Sequence, residues 1–289
     1  MSEPRSYYGR PILKAPVWTW EVPVYFWVGG MAGASAGLGW SAHVAGNEVL
    51  ARNAWRAAMA GIGLSPPLLI ADLGRPERFL NMLRMVKVTS PMSMGSWILQ
   101  GAGAAVTASF AHSELGRFPR VAAVARPGAA AFGLALTTYT GALLSATSIP
   151  VWHEARRELP FVFAGGGAAS AGGLASILTP VAQAGPARRL AVGGALAEVA
   201  AATVMERRLG DLAAPLREER WSKISLGLTL GGAAMLAGPG RRSRVAAAAG
   251  GGAVALGALA ERWAIYKAGF ASAKDPKYVV GPQRERMAA

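Results

Sequence analysis

Asp72-Leu73-Gly74-Arg75-Pro76-Glu77-Arg78-Phe79-Leu80-Asn81-Met82-Leu83-Arg84-Met85-Val86-Lys87-Val88-Thr89-Ser90-Pro91-Met92-Ser93-Met94-Gly95-Ser96-Trp97 is the densest run of charged and aromatic residues between two long apolar segments. Pro76 sits where a new helix begins, because the first turn leaves its N–H groups unbonded and a proline loses nothing there. From it, Phe79, Leu80, Leu83 and Val86 fall on one apolar face, with Arg78, Arg84 and Lys87 off it. That spacing predicts a short amphipathic helix at a membrane surface. Thr89-Ser90-Pro91 ends it and caps the apolar helix that follows.

The composition agrees with a membrane setting. The 289-residue chain is 16% charged, with a mean hydropathy of +0.29, where soluble domains carry about 25% charged residues. Its 37 glycines suit transmembrane helices in close contact. It has no cysteine, so it forms no disulfide and holds no iron–sulfur cluster through Cys. The net charge of +14 is spread in short basic runs between apolar segments. Lipid headgroups and orientation signals favour that arrangement, and nucleic-acid binding does not require it. The first apolar run begins near Val22 and is too long for a signal-peptide core; no cleavable signal is evident.

The chain reads as an all-α membrane protein with a single integral domain over 1–289. An interfacial segment, 1–21, precedes an eight-helix bundle over 22–270, arranged as two four-helix bundles, and a polar tail, 271–289. The expected spans are 22–44, 52–73, 92–111, 127–149, 159–181, 186–205, 222–237 and 245–270, each near the ~20 residues a bilayer requires. Gly29, Gly30, Gly33 and Gly37 form a small-residue stripe for helix contact. Pro66-Pro67 free backbone carbonyls inside the second span and predict a kink. Trp18 and Trp20 suit an interfacial aromatic belt.

An even number of spans puts both termini on one side. The terminal side also holds the 74–91, 150–158 and 206–221 connections and roughly twice the Lys and Arg of the opposite loops, which places it in the cytoplasm of a bacterial inner membrane. The varied connections on that side are where function is expected.

Four sets of residues invite chemistry. Glu21 and Tyr25 are spaced i, i+4 and share a helix face, either as an interfacial pair or as a site. Asp72 at a membrane boundary must be paired, with Arg75 or Arg78, or functional. Tyr139, between Thr138 and Thr140, falls roughly mid-span when counted from Pro127, and its hydroxyl needs a partner. Glu198 and Glu261 are intramembrane carboxylates; Arg262 is the expected partner of Glu261, and Glu198 has none in the local sequence. His43, His112 and His153 form no mid-membrane pair suited to haem. Gly165-Gly166-Gly167 is a packing feature. Nucleophile-elbow, phosphate-loop and zinc spacings are missing from the sequence.

Trp18-Thr19-Trp20-Glu21-Val22-Pro23, the Asp72–Phe79 stretch, Thr89-Ser90-Pro91-Met92-Ser93 with Gly95-Ser96-Trp97, Tyr139-Thr140-Gly141, Pro150-Val151-Trp152, and Glu261-Arg262-Trp263-Ala264-Ile265-Tyr266-Lys267 with Asp275-Pro276-Lys277-Tyr278 together give the chain a family likeness. It resembles the NrfD family, polysulfide-reductase-type membrane subunits of respiratory molybdo-oxidoreductases. Helices five to seven look generic. The resemblance implies a haem-free protein that binds menaquinone or ubiquinone at the face docking an iron–sulfur subunit. Through that subunit it serves a molybdenum or tungsten enzyme, formate dehydrogenase-like or sulfur-compound-reductase-like. The implied quinone site is Trp20, Glu21, Tyr25, Asp72, Arg75, Trp97 and Tyr139, with Tyr25 replacing a helix-one histidine of some members. Glu21 and Asp72 are the implied proton-transfer residues, and Glu198, read from the residues alone, is a third candidate. Arg78, Lys87, Tyr266, Lys267, Lys277 and Tyr278 are implied to face the docked partner.

The residues alone leave two other readings open. One is a proton- or ion-translocating bundle using Glu198 and the proline-broken second helix. The other is a membrane anchor without quinone chemistry.

Overall fold

The computed structural model describes residues 12–281, apart from the side chain of Arg78. These residues are helical and carry no strand. The elements are α1 Glu21–Val44, α2 Glu48–Asp72, α3 Phe79–Met82, α4 Pro91–Leu115, α5 Pro119–Ser145, α6 Pro150–Glu154, α7 Leu159–Leu178, α8 Gly185–Leu209, α9 Ala214–Glu218, α10 Arg220–Ala237 and α11 Arg244–Lys274. Short 3-10 turns precede α3 and follow α6, α8 and α10.

The boundaries follow from local chemistry. Asn47 caps α2 by accepting from the Leu50 amide at 3.2 Å, and Ser243 caps α11 by accepting from the Ala246 amide at 3.2 Å. Ser90 accepts from the Ser93 amide at 3.4 Å, with Pro91 at the first helical position of α4, as the Thr-Ser-Pro signal predicts. Gly116 ends α4 in the left-handed region at φ 66°.

Several expected boundaries move. The fourth long helix starts at Pro119, not Pro127. Both prolines can open a helix, and the one at 119 does so, with Pro127 left inside. The second starts at Glu48 under its Asn47 cap, and the last runs on to Lys274. The amphipathic surface helix shrinks most. After a 3-10 turn over Pro76–Arg78, only Phe79–Met82 is α-helical. The Met85 carbonyl, which a longer helix would keep, accepts instead from Ser93 Oγ at 2.9 Å and Trp97 Nε1 at 3.1 Å. Those bonds fold the segment onto α4. Leu80, Met85, Val86 and Val88 stay exposed on its outside.

Among the described residues, eight helices have 18 residues or more. Two of them, Pro119–Ser145 and Leu159–Leu178, are apolar enough by length and composition alone to cross a membrane. Others carry charges that count against them in such a test yet face inward, as Glu198 and Arg262 do. Helices α1, α2, α4 and α5 pack on one another, as do α7, α8, α10 and α11, and α1 lies against α7 where the two sets meet.

Glycines set the closest approaches. A Cβ on Gly33 of α1 would lie 3.1 Å from the Gly133 carbonyl carbon of α5, and one on Gly167 of α7 would lie 2.9 Å from the Gly30 carbonyl oxygen. The predicted stripe and the Gly165–Gly167 run therefore work as backbone-contact surfaces, although Gly37 meets open space.

The described chain ends meet on one face. Tyr266 of α11 donates to the Trp18 carbonyl at 2.7 Å. Trp18 stacks on Trp152 of α6 at 5.4 Å and 24°. Trp152 is buried and donates from Nε1 to the Ile265 carbonyl at 2.8 Å. These three aromatics tie the N-terminal segment to the last helix.

Candidate functional site

A cavity of about 300 Å³ opens between α1, α2, α4 and α5 at the face bearing the chain ends. Its walls are apolar, from Val22, Phe26, Ile62, Leu69, Leu99 and Leu143. Trp18, Phe79, Met82 and Leu83 cover it from the surface side. The polar groups that reach it are Tyr25, Asp72, Ser96, Gln100 and Tyr139.

The two phenols are hydrogen-bonded to each other, hydroxyl to hydroxyl, across α1 and α5. Tyr25 is 1% exposed. Tyr25 lies four residues into α1 and Tyr139 six residues before the end of α5, so the pair sits about 6 to 9 Å below the helix ends. The mid-span depth expected for Tyr139 is thus corrected, because α5 begins and ends earlier than its prolines imply. The Tyr139 ring packs against α4 at Gly95, where an added Cβ would overlap it. Gly95→Ala is expected to displace the ring at a cost of about 1–3 kcal/mol. A fall in melting temperature together with loss of ligand affinity would register this; an unchanged affinity would show that the ring tolerates the shift.

At the mouth, Asp72 Oδ1 accepts from the Thr19 amide at 3.0 Å and the Thr19 hydroxyl at 2.8 Å. Glu21 is a second carboxylate on the same hydroxyl. Asp72 is therefore held by Thr19, and Arg75 stands exposed beside the turn. A hydroxyl owns one proton. The Thr19 hydroxyl can therefore donate to only one of the two carboxylates, Glu21 or Asp72, at a time. Thr19→Val is expected to cost about 1 kcal/mol and to slow any proton delivery here, with Thr19→Ser retaining both; melting curves and turnover on the three proteins separate these effects.

Among the residues singled out from sequence, the cavity gathers Tyr25, Asp72 and Tyr139, with Glu21 one bond away. It does not gather Trp20, 56% exposed, or Trp97, whose indole is spent on the Met85 carbonyl. Trp18 is a cavity wall packed edge-on to Phe26 at 6.3 Å. Thr19, Ser96 and Gln100 were missed as site residues. Gln100 left a signal, as a lone amide one turn past Trp97 in an apolar helix.

Of the expected docking residues, Lys87, Lys267 and Lys277 are exposed. Lys277 pairs with Asp275 at 3.2 Å, and its backbone amide and ammonium hold the Asp275 carboxyl below its ordinary range. Tyr266 and Tyr278 are corrected, being buried at 9% and 8% exposure; Tyr266 is occupied by Trp18. The side chain of Arg78 lies outside the described residues.

Glu198 is remote from this cavity's lining. It pairs with Arg262 of α11, both at most 2% exposed. Arg262 also donates to the Phe163 carbonyl at 2.7 Å and the Ala258 carbonyl at 3.1 Å. The expected Glu261–Arg262 pair is overturned for a geometric reason: adjacent residues on a helix do not face each other. His43 and His112 sit at helix ends, with His43 Nδ1 2.6 Å from Glu48 and His112 Nδ1 2.8 Å from the Arg117 carbonyl, while His153, expected in a loop, lies in the short helix α6.

A family model described as "Polysulphide reductase, NrfD" matches residues 12–232. The chain belongs to the NrfD family. NrfD proteins are integral membrane subunits of oxidoreductases. The match takes in every residue of the tyrosine cavity and two of the three helices that read as generic, and stops within the third, α10. The Glu261–Tyr278 motifs, which contributed to the resemblance, lie beyond it. No curated protein matches the chain.

Proposed function

We propose that this NrfD protein is the quinone-reactive membrane subunit of a respiratory oxidoreductase, with its eight long helices spanning a bacterial cytoplasmic membrane. The observation that carries the proposal is the Tyr25–Tyr139 pair inside the apolar cavity. In such a pair one hydroxyl donates to the other, and the acceptor keeps its own O–H free. That leaves a donor for a ligand carbonyl, in a pocket otherwise built to hold a flat apolar ring. The cavity volume of about 300 Å³ is at the small end of ligand pockets, which fits a head ring with its tail left in lipid. Gln100 and Ser96 offer further hydrogen bonds.

Menaquinone or ubiquinone bound here supplies the two-electron, two-proton carrier. The protein's part is to orient the ring, exclude water and bring protons to it. Tyr139 and Tyr25 hold the reacting oxygen, and the Glu21–Thr19–Asp72 chain connects the cavity mouth to the polar face. A chain without cysteine leaves electron delivery to a docked iron–sulfur subunit and, behind it, a molybdenum or tungsten enzyme. Exposed Arg75, Lys87, Lys267 and Lys277 supply a positive surface for acidic groups of that partner. The Lys/Arg excess supports a cytoplasmic position for this face.

The test is binding. The full chain in lipid nanodiscs should bind a short-tailed menaquinone or ubiquinone with quenching of tryptophan fluorescence, since Trp18 lines the site. Protein that assembles with its partner yet binds neither quinone would be an anchor alone.

A further inference from the structure

A second cavity of about 300 Å³ lies on the other side of the molecule, between α8, α10 and α11. It shares no lining residue with the tyrosine cavity. Glu206, Arg217 and Lys223 line its outer part, at the ends of α8, α9 and α10 that share the face of the chain ends. Glu198 and Glu261 line its inner part, 2% and 7% exposed.

The two inner carboxyl groups differ in what holds them. Glu198 is fixed by Arg262, whose guanidinium is also bonded to two backbone carbonyls and lies 4.9 Å from the Phe163 ring centre. These bonds fix the Glu198 carboxylate in place. Its second oxygen, Oε2, is buried and has no hydrogen-bond partner among the described residues. A buried acceptor in a polar cavity calls for a donor such as water. Glu261 has no ion pair among the described residues. Its neighbour is the Ser225 hydroxyl of α10, and the nearest charges are Glu198 and Glu206 of α8 and Arg262 of its own helix. Two of those three are negative. A carboxyl group so placed, beside a hydroxyl and on the wall of a cavity that reaches the polar face, can exchange a proton with water in that cavity.

We propose that this cavity is a proton-loading site, in which Glu261 takes up and returns one proton through water admitted past Glu206, Arg217 and Lys223, while the Glu198–Arg262 pair stays charged. The step moves a proton from water to a carboxylate oxygen and back; no electron is transferred and no other bond breaks. The site is independent of quinone binding and would stand if the quinone reading fell.

Dicyclohexylcarbodiimide, which modifies protonated carboxyl groups in apolar surroundings, is the probe. Applied to the full wild-type chain in native membranes and mapped by peptide mass spectrometry, it should label Glu261 and leave Glu198 unmodified. Labelling should fall as pH rises and be indifferent to sodium. Glu261→Gln should remove the label, and Glu206→Gln should slow it without moving it. Labelling of Glu198, or of neither residue, would overturn the assignment on wild-type protein even if the variants failed to fold. Protection by sodium would replace the proton with a metal cation and overturn it equally.

Discussion

Tyr139→Phe is expected to lower quinone-linked turnover by about 10²-fold or more, with the complex still assembled. The substitution removes one oxygen from a buried pair and leaves the ring, so the packing against Gly95 survives. What is lost is the hydroxyl partner of Tyr25, so the one O–H that remains is no longer oriented toward a ligand by a second hydroxyl. The Tyr25 hydroxyl, 1% exposed, is then left without its protein partner. Tyr25→Phe should therefore have a comparable effect, and the double variant should fall well short of the product of the two, because the hydroxyls act as one unit. The measurement is electron transfer from the partner's substrate to added quinone, alongside a count of assembled complexes. Full turnover in an assembled Tyr139→Phe complex would leave an anchor without quinone chemistry at this site.

Arg262→Met is the second large effect. It strands the Glu198 carboxylate in a position 2% exposed. Removing one partner of a buried pair costs about 3–5 kcal/mol. Here the arginine also joins three helices, through Glu198 on α8, the Phe163 carbonyl on α7 and its own α11. Replacing both residues together, as Glu198→Leu with Arg262→Met, should recover much of the loss, since two well-packed apolar side chains leave no charge to compensate. Thermal unfolding in detergent of the wild type, single and double variants tests this. A single variant that melts with the wild type would mean that Glu198 finds another partner or becomes neutral at no cost.

The sequence by itself determined the class of protein. Low charge, high hydropathy and abundant glycine required helices buried against lipid or one another, and the onsets of the apolar runs located most of their starts to within a few residues. Local motifs also named Tyr25, Asp72 and Tyr139, because a phenol or carboxylate in an apolar setting must find a partner and so stands out in any linear reading. Only the tertiary structure decided which partner each one found. Thr19 and Asp72 are 53 residues apart, Tyr25 and Tyr139 are 114 apart, and Glu198 and Arg262 are 64 apart. No spacing rule reaches across such intervals, since the contacts depend on how close glycine-lined helices approach. The same reason explains the misread Glu261–Arg262 pair and the shortened surface helix. Neighbours in sequence point different ways around a helix, and the Met85 carbonyl was claimed by a side chain twelve residues on.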